Sequence, residues 1–511
     1  MSEALQLNQN PGWVSLGSSG FRLRAPGLKG NLIWRAPEEH AQFTASGISK
    51  NLVTPGIPSL IDQALQEAGL EDQGSLTIPA GTGSVAAAPD KIVLDHPIPA
   101  NRVEFAIYRD ESGVISLHRP MPSAPATAKL AISAAAQTAR PFHYVIPLRH
   151  APAPAGGLAQ MAMLGGIAGK VIRFVGRAVR GVAGDLVYAA AKLWEDKYRS
   201  AQGFHWGGTP AELLAQTPTP LTAANWQSLE GNKSLLFVHG TISSTAGAYI
   251  GLQNFPTEAE NLWTKYSNRV IGFNHHTLTK SVPQNAADFF TGLTAGNYDF
   301  DVISHSRGGL LARALKELTP AALGQLTDPV WTPRPGVNVQ IGKVALVGTP
   351  NVGTPLANPT DLPEAVSRLA SIASTFSQDV ATLGLGALFA IFGGIVEGGL
   401  GALPGLEDMN PGNPFLTQLN AASTDNSSYY GVEADFQPAG GLAQAIKNNS
   451  VDALFLGENN DLVVPTLGVS QVNGQALQGT QVDAYPQSAN VYHLDYFYQQ
   501  GTWDAILGLM S

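Results

Sequence analysis

The sequence predicts an α/β fold with a mainly parallel sheet, preceded by a β-rich accessory domain. Three observations predict it. From about residue 230, short apolar runs alternate with helical segments, the pattern of a sheet covered on both faces. Before residue 150, runs with alternating or β-branched residues sit between turn signals. One of the later apolar runs passes directly into a helix around a serine with small neighbours, in Ser304-His-Ser-Arg-Gly-Gly309.

At 511 residues the chain is long for one domain and suggests two or three. Charged residues make up 14% and hydrophobic ones 44%, which describes a well-buried globular protein rather than a disordered one. The formal net charge of −9 gives no electrostatic reason to expect nucleic acid as a partner. There is no cysteine, so thiol catalysis, disulfides and cysteine metal sites are excluded. The stretch from Met1 to Asn10 lacks the basic-then-apolar layout of a secretory signal. A cytoplasmic location is therefore the starting expectation, with leaderless export left open.

In chain order, Lys91–Asp95, Val103–Arg109, Val114–His118 and Phe142–Arg149 read as strands, with Asp110–Gly113 a hairpin loop between two of them. Residues 1–150 are thus expected to form a sandwich or barrel-like accessory domain, without recognisable chemistry. Ala151–Gly157, rich in Pro, Ala and Gly, reads as a linker, and 151–229 as linker and helical connection. Within it, residues 158–200 carry Lys170, Arg173, Arg177 and Arg180 along an apolar run. A basic amphipathic helix can lie on an anionic membrane surface; the plainer alternative is a helix packing one domain on the other.

Residues 230–511 form the expected catalytic domain. Its candidate strands are Ser234–His239, Arg269–Asn274, Asp299–Ser304, Val344–Gly348 and Ala453–Gly457. An insertion at about 358–450, helical, Gly-rich and apolar, reads as a lid. It contains an uncharged run of 17 residues, Val380–Val396, at the short edge of what could span a bilayer. A buried or lid helix pair is the preferred reading.

The chemistry centres on Ser306. A strand turning sharply into a helix around a serine is a nucleophile elbow: the turn forces unusual φ/ψ, and small neighbours make room for it. The backbone N–H of Arg307, at the helix start, would face a developing oxyanion. A serine hydroxyl needs a base and a carboxylate to orient that base. In enzymes with such an elbow these follow in the order Ser, Asp/Glu, His. After His305 the sequence contains one histidine, His493, which makes it the expected base. Asp461, in Gly457-Glu-Asn-Asn-Asp-Leu-Val-Val-Pro465, follows a candidate strand and is the expected carboxylate. Glu458 is its main rival, and Asp495 lies too near His493 in sequence. The second oxyanion donor is expected in Val238-His-Gly-Thr-Ile242, at the N–H of Thr241 in preference to Ile242.

His239 reads as a structural residue shaping that loop. His275-His276 is not expected to bind metal, because adjacent residues point to different sides and no carboxylates accompany them. Gly348–Thr354 lacks the lysine of a phosphate loop and carries a proline where donors are needed, so no nucleotide and no cofactor are expected.

Taken in order, Val238-His-Gly-Thr241, Ser304-His-Ser-Arg-Gly-Gly309, Thr349-Pro-Asn-Val-Gly-Thr-Pro-Leu356, Asn460-Asp-Leu-Val-Val-Pro465 and His493 resemble the bacterial lipase/esterase branch of the α/β-hydrolases. Asp408-Met-Asn-Pro-Gly-Asn-Pro-Phe-Leu-Thr-Gln-Leu419 looks like the stretch after the lid in those lipases. The resemblance covers about 230–511. It departs from the family at Ser304, where glycine is usual, at Asn351, where His is common, and at Arg307, where Met or Gln is frequent. Arg307 reads either as a ligand for an acidic substrate group or as a helix-start residue. The resemblance implies an α/β-hydrolase core and cleavage of carboxylic esters, lipid-like or polyester, through an acyl-enzyme. The same triad would serve amide hydrolysis or acyl transfer. A catalytically silent hydrolase fold that binds a partner is the reading from another class.

Overall fold

The computed structural model describes residues 3–8, 12–16, 20–25, 28–36, 57–79, 83–84, 91–99, 101–110, 114–122, 139–148, 169–179, 186–206, 208–358, 362–376, 378–397, 403–436 and 458–511. The expected linker Ala151–Gly157 and the expected strand Ala453–Gly457 lie outside them. Contacts divide the chain into two compact units. The first comprises Met1–Ala190, Pro363–Gly401 and Ala439–Asn449; the second comprises Ala191–Leu362, Ala402–Pro438 and Ser450–Ser511.

The first unit is a β-sandwich. One sheet runs β1 (Glu3–Asn8), β4 (Leu28–Arg35), β5 (Glu71–Pro79), β12 (Gly169–Ala178), β8 (Arg102–Arg109), β9 (Ile115–His118), with β6 (Gly83–Ser84) beside β4. The other runs β10 (Met121–Pro122), β11 (Ala139–Pro147), β7 (Lys91–Pro99), β3 (Phe21–Arg24), β2 (Val14–Leu16). Alternation explains the architecture: in β3, Phe21 and Leu23 are buried while Arg22 and Arg24 are exposed. Such inward residues from both sheets share one core, in which the Phe21 ring lies 4.7 Å from both Trp34 and Phe174. β8 and β9 pair antiparallel, and the Asp110 carboxylate accepts the Val114 N–H at 3.0 Å; residues 111–113 of the expected loop lie outside the described residues.

Two sequence expectations are corrected here. The basic run from Lys170 is not a helix but β12, paired antiparallel with β5 and β8. Ile172, Phe174 and Val175 are buried, as in a central strand. Its arginines meet carboxylates: Arg173 pairs with Asp62 and Asp72, each at 2.5 Å, and Arg177 with Glu397 at 3.0 Å. Among the described residues of that stretch the helix is Leu186–Tyr198, and Arg180 lies outside them. The insertion also divides differently. Its two long helices, Leu362–Phe376 and Gln378–Val396, belong to the first unit from Pro363 onward. There the Phe389 and Phe392 rings pack on Phe105 at 6.4 and 5.1 Å, and Ser371 donates to the Ile115 carbonyl at 2.5 Å. Of their described apolar residues, Val366, Leu388 and Phe389 are buried within this unit. Among the described residues no helix is long and apolar enough to cross a membrane.

The second unit is an α/β layer structure around an eight-stranded sheet. Its order is β14 (Thr219–Pro220), β13 (Gln202–His205), β16 (Val270–Asn274), β15 (Lys233–Val238), β17 (Gly296–His305), β18 (Val337–Val347), β19 (Tyr429–Ala434), β22 (Val482–Tyr485). From β16 to β22 all neighbours are parallel; β13 and β14 are antiparallel at one edge. A small hairpin of β20 (Gln471–Val472) and β21 (Gln475–Ala476) stands apart. Four expected strands appear as β15, β16, β17 and β18, whereas β19 was not read from sequence.

One face of the sheet is covered by α1 (Pro256–Lys265) and α4 (Gln500–Met510), through Leu262, Trp503 and Ile506 against Leu235, Phe237 and Val347. On the other side Phe289 of α2 (Val282–Gly292) meets Phe273 and Phe300, and α3 (Arg307–Glu317) packs beside α2. α2 starts at a Ser281–Gln284 capping box that encloses Pro283, and the N–H of Val282 donates to the distant Asp408 carboxylate. After β15 the chain crosses first to β16 and then to β17 on the opposite side. That reversal opens a crevice outside the carboxyl ends of β15 and β17, where α/β sheets gather ligands.

Candidate active site

Ser306 stands at that crevice, between the end of β17 and the start of α3. Its backbone has φ 53° and ψ −131°, a region that non-glycine residues rarely occupy. The surroundings impose it. The Ser306 N–H donates to Val347 O at 2.8 Å, and its carbonyl accepts the Gly309 N–H at 2.9 Å. Small residues are required after it: a Cβ on Gly308 would come within 2.4 Å of Val238 O, and one on Gly309 within 2.1 Å of Thr349 Oγ1. Ser304, where glycine is usual in the resembled family, fits because its hydroxyl donates to Ala345 O at 2.7 Å.

His493 and Asp461 meet in a buried pair, with His493 Nδ1 2.8 Å from Asp461 Oδ2. The carboxylate is well supplied. Oδ1 accepts the backbone N–H of Val463 at 3.0 Å and of Val464 at 2.7 Å, and Oδ2 also accepts the Tyr496 hydroxyl at 2.9 Å. With Nδ1–H donating to Asp461, Nε2 is left as the basic nitrogen. The His493 backbone is fixed as well: its N–H donates to Asp461 O at 3.0 Å, and its carbonyl lies 2.9 Å from His305 Nε2. Gly348 joins this pair to the serine. A Cβ there would lie 3.2 Å from His493 Nδ1, and the preceding residue, Val347, is the acceptor of the Ser306 N–H.

The loop after β15 closes on the serine from the other side. A Cβ on Gly240 would be 2.7 Å from Ser306 Cβ, so only glycine lets this backbone approach so closely. Ile242 turns the chain at φ 62°, and its N–H donates to Thr277 Oγ1 at 2.9 Å. That engages one of the two N–H groups considered from sequence. Among the described residues the N–H groups of Thr241 and Arg307 make no hydrogen bond.

The Arg307 side chain is fully buried and committed to the scaffold. Nε donates to Gly405 O at 2.8 Å, Nη2 donates to Lys280 O at 2.7 Å, and Asp408 Oδ2 is 3.5 Å away. Burial lowers its pKa, opposed by the charges of Asp408 and Glu195. Burial in turn raises Asp408 to about 6, with Arg307 pulling the other way.

The remaining candidates take structural places. His239 lies with Nδ1 2.9 Å from Gly240 O, and its Nε2 accepts the His275 N–H at 3.1 Å. Its ring stacks on His275 at 4.2 Å. Burial lowers His239 and His305 to about 3 and takes His275 well below the ordinary range, so all three are neutral at pH 7. Among the described residues no three His, Asp or Glu come together to hold a metal ion. Asn351 is buried, donating to Val469 O at 2.6 Å and accepting from Arg313 at 3.1 Å. Glu458 is exposed, and Asp495 accepts from Gln499 at 2.6 Å. Sequence reasoning missed Tyr496, His305 as a support of His493, and Thr277. Only Tyr496, three residues after His493, left a signal in the spacing.

The second unit thus places a serine on a strained strand–helix turn and a buried His–Asp pair at one edge of an α/β sheet. The chain belongs to the family described as a domain of unknown function, DUF7379, whose model matches residues 208–511. Among solved structures it is similar to lipase 1 from Pelosinus fermentans, with 14% identity over 55% of this chain and 97% of that one, at a TM-score of 0.34. It is also similar to EstA from Clostridium botulinum, with 13% identity over 64% and 98%, at a TM-score of 0.36. No curated protein matches the sequence.

Proposed function

We propose that this chain is a serine hydrolase that cleaves carboxylic esters through an acyl-enzyme. Ser306 Oγ attacks the ester carbonyl while His493 Nε2 takes its proton. The tetrahedral oxyanion is held by the N–H groups of Thr241 and Arg307, each worth roughly 3–4 kcal/mol of barrier when removed. Collapse expels the alcohol, which carries the proton from His493. Water then attacks the acyl-enzyme, giving its proton to His493, and the acid leaves as Ser306 recovers its hydrogen. Asp461 accepts the Nδ1–H throughout, holding the tautomer and stabilising the imidazolium.

The observation that carries this reading is the buried 2.8 Å His493–Asp461 pair, packed on Gly348 beside the residue that accepts the N–H of strained Ser306. The test is hydrolysis of p-nitrophenyl esters from acetate to palmitate, with Ser306→Ala beside the parent. The expected result is activity in the parent and background rates in the variant. Equal rates in the two would overturn the serine mechanism. A rate optimum at long acyl chains would support lipid-like or polyester substrates; activity confined to short, charged esters would exclude them.

A further inference from the structure

We infer that Glu195 is a positioning residue for the oxyanion loop and that it acts through Thr277. The inference rests on the hydrolase reading above. It starts from Ile242, a β-branched residue at φ 62°, where a Cβ-branched side chain is strained and must be held by its surroundings. Ile242 directly follows Thr241, so anchoring the Thr241–Ile242 peptide holds in place the residue that carries the Thr241 N–H. The hydrogen bond that holds it is Ile242 N–H to Thr277 Oγ1, at 2.9 Å.

Thr277 is fixed in turn by a buried carboxylate. Glu195, with 0% exposure, accepts the backbone N–H of Thr277 at 2.5 Å, Leu278 at 2.9 Å and Thr279 at 3.0 Å. It also accepts the Thr279 hydroxyl at 2.6 Å. The Thr277 hydroxyl lies 3.4 Å from Glu195 Oε1. With its hydrogen turned to the carboxylate, Thr277 presents a lone pair to Ile242, so the acceptor polarity the loop needs is set by the charge behind it. Glu195 lies before residue 208, where the family match begins, on a helix ending at Tyr198. The machinery of the site thus extends beyond the matched segment.

The test compares Glu195→Gln, Thr277→Val and the double variant with the parent. The readouts are ester hydrolysis, inhibition by an alkylboronic acid that forms a tetrahedral adduct on Ser306, and the thermal midpoint. Misplacing one donor should lower kcat by about tenfold to a hundredfold with little change in KM. Boronate inhibition should weaken by a matching factor, and the double variant should lose no more than the worse single one. Rates and boronate inhibition equal to the parent's in the folded variants, or losses that multiply in the double, overturn the inference. If Glu195→Gln does not fold, Glu195→Asp takes its place, keeping the charge and shortening its reach. A parent that fails to react with a fluorophosphonate sinks the hydrolase reading instead. Amide exchange at 241–243 then decides the brace alone: faster exchange in Thr277→Val sustains it, and unchanged exchange removes it.

Discussion

Gly240 touches Ser306 more closely than any side chain would allow, with the site of its missing Cβ 2.7 Å from Ser306 Cβ and 3.1 Å from His305 O. Gly240→Ala must therefore push the loop or the serine aside. A displacement of that size costs about a hundredfold in kcat, and the variant should keep its circular dichroism and lose its esterase rate. Unimpaired hydrolysis would show that the loop can retreat without affecting the chemistry. Asp461→Asn tests the other side of the site. The N–H groups of Val463 and Val464 would hold the amide oxygen, leaving the NH₂ facing His493 Nδ1. His493 would then accept at Nδ1 and carry its hydrogen on Nε2, the wrong tautomer for a base. By analogy with such triads, kcat should fall by roughly 10⁴-fold, read as the esterase rate of the purified variant. The strained turn at Ser306 and the pairing of His493 with Asp461 were legible because serine turns and chain order leave a local record. Thr277 and Glu195 were not, since a hydroxyl and a carboxylate 82 positions apart carry no spacing signal.

At the scale of elements, periodicity misled once and composition once. Lys170, Arg173 and Arg177 recur at helical spacing, yet the residues between them include Val171, Ile172, Phe174 and Val175, which suit a central strand. What decided it was tertiary: Arg173 has two carboxylates to meet and Arg177 has Glu397, so the charges could be buried. β19 escaped notice because Tyr429-Tyr-Gly-Val-Glu-Ala434 is neither alternating nor continuously apolar. The insertion was read as a lid from its length and its helical, Gly-rich and apolar content, and these do not say which surface a helix covers. Its Phe392 ring lies 5.1 Å from Phe105 within the first unit. Phe392→Ala should open a cavity there and destabilise that unit by about 3–5 kcal/mol. Urea unfolding followed by far-UV dichroism would measure it; a loss below about 1 kcal/mol would mean the helix does not depend on that contact.

On the scale of the molecule, the second unit buries three neutral histidines behind its site, which ties its stability to pH. In His239 and His305 desolvation lowers the pKa from 6.5 to about 3, and His275 shifts in the same direction. Between those values the unfolded chain binds protons that the folded chain refuses, so unfolding takes up protons. Their contribution is present above about pH 6.5 and is lost as the pH falls towards 3. Asp408 and Asp495, raised by burial from 3.8 to about 6, work in the opposite sense. Between about pH 4 and 6 the folded state keeps protons on these two that the unfolded state releases, which flattens the acid limb. His239→Asn isolates one histidine, because its amide can still donate to Gly240 O in place of Nδ1. The variant should take up one proton fewer on unfolding, making the slope of stability against pH shallower by about 1.4 kcal/mol per unit. Urea titrations at intervals from pH 4 to 6.5 would measure that slope. Parallel curves for parent and variant would mean that His239 is protonated in the folded protein, and that its nitrogen facing the His275 N–H is not the acceptor described above.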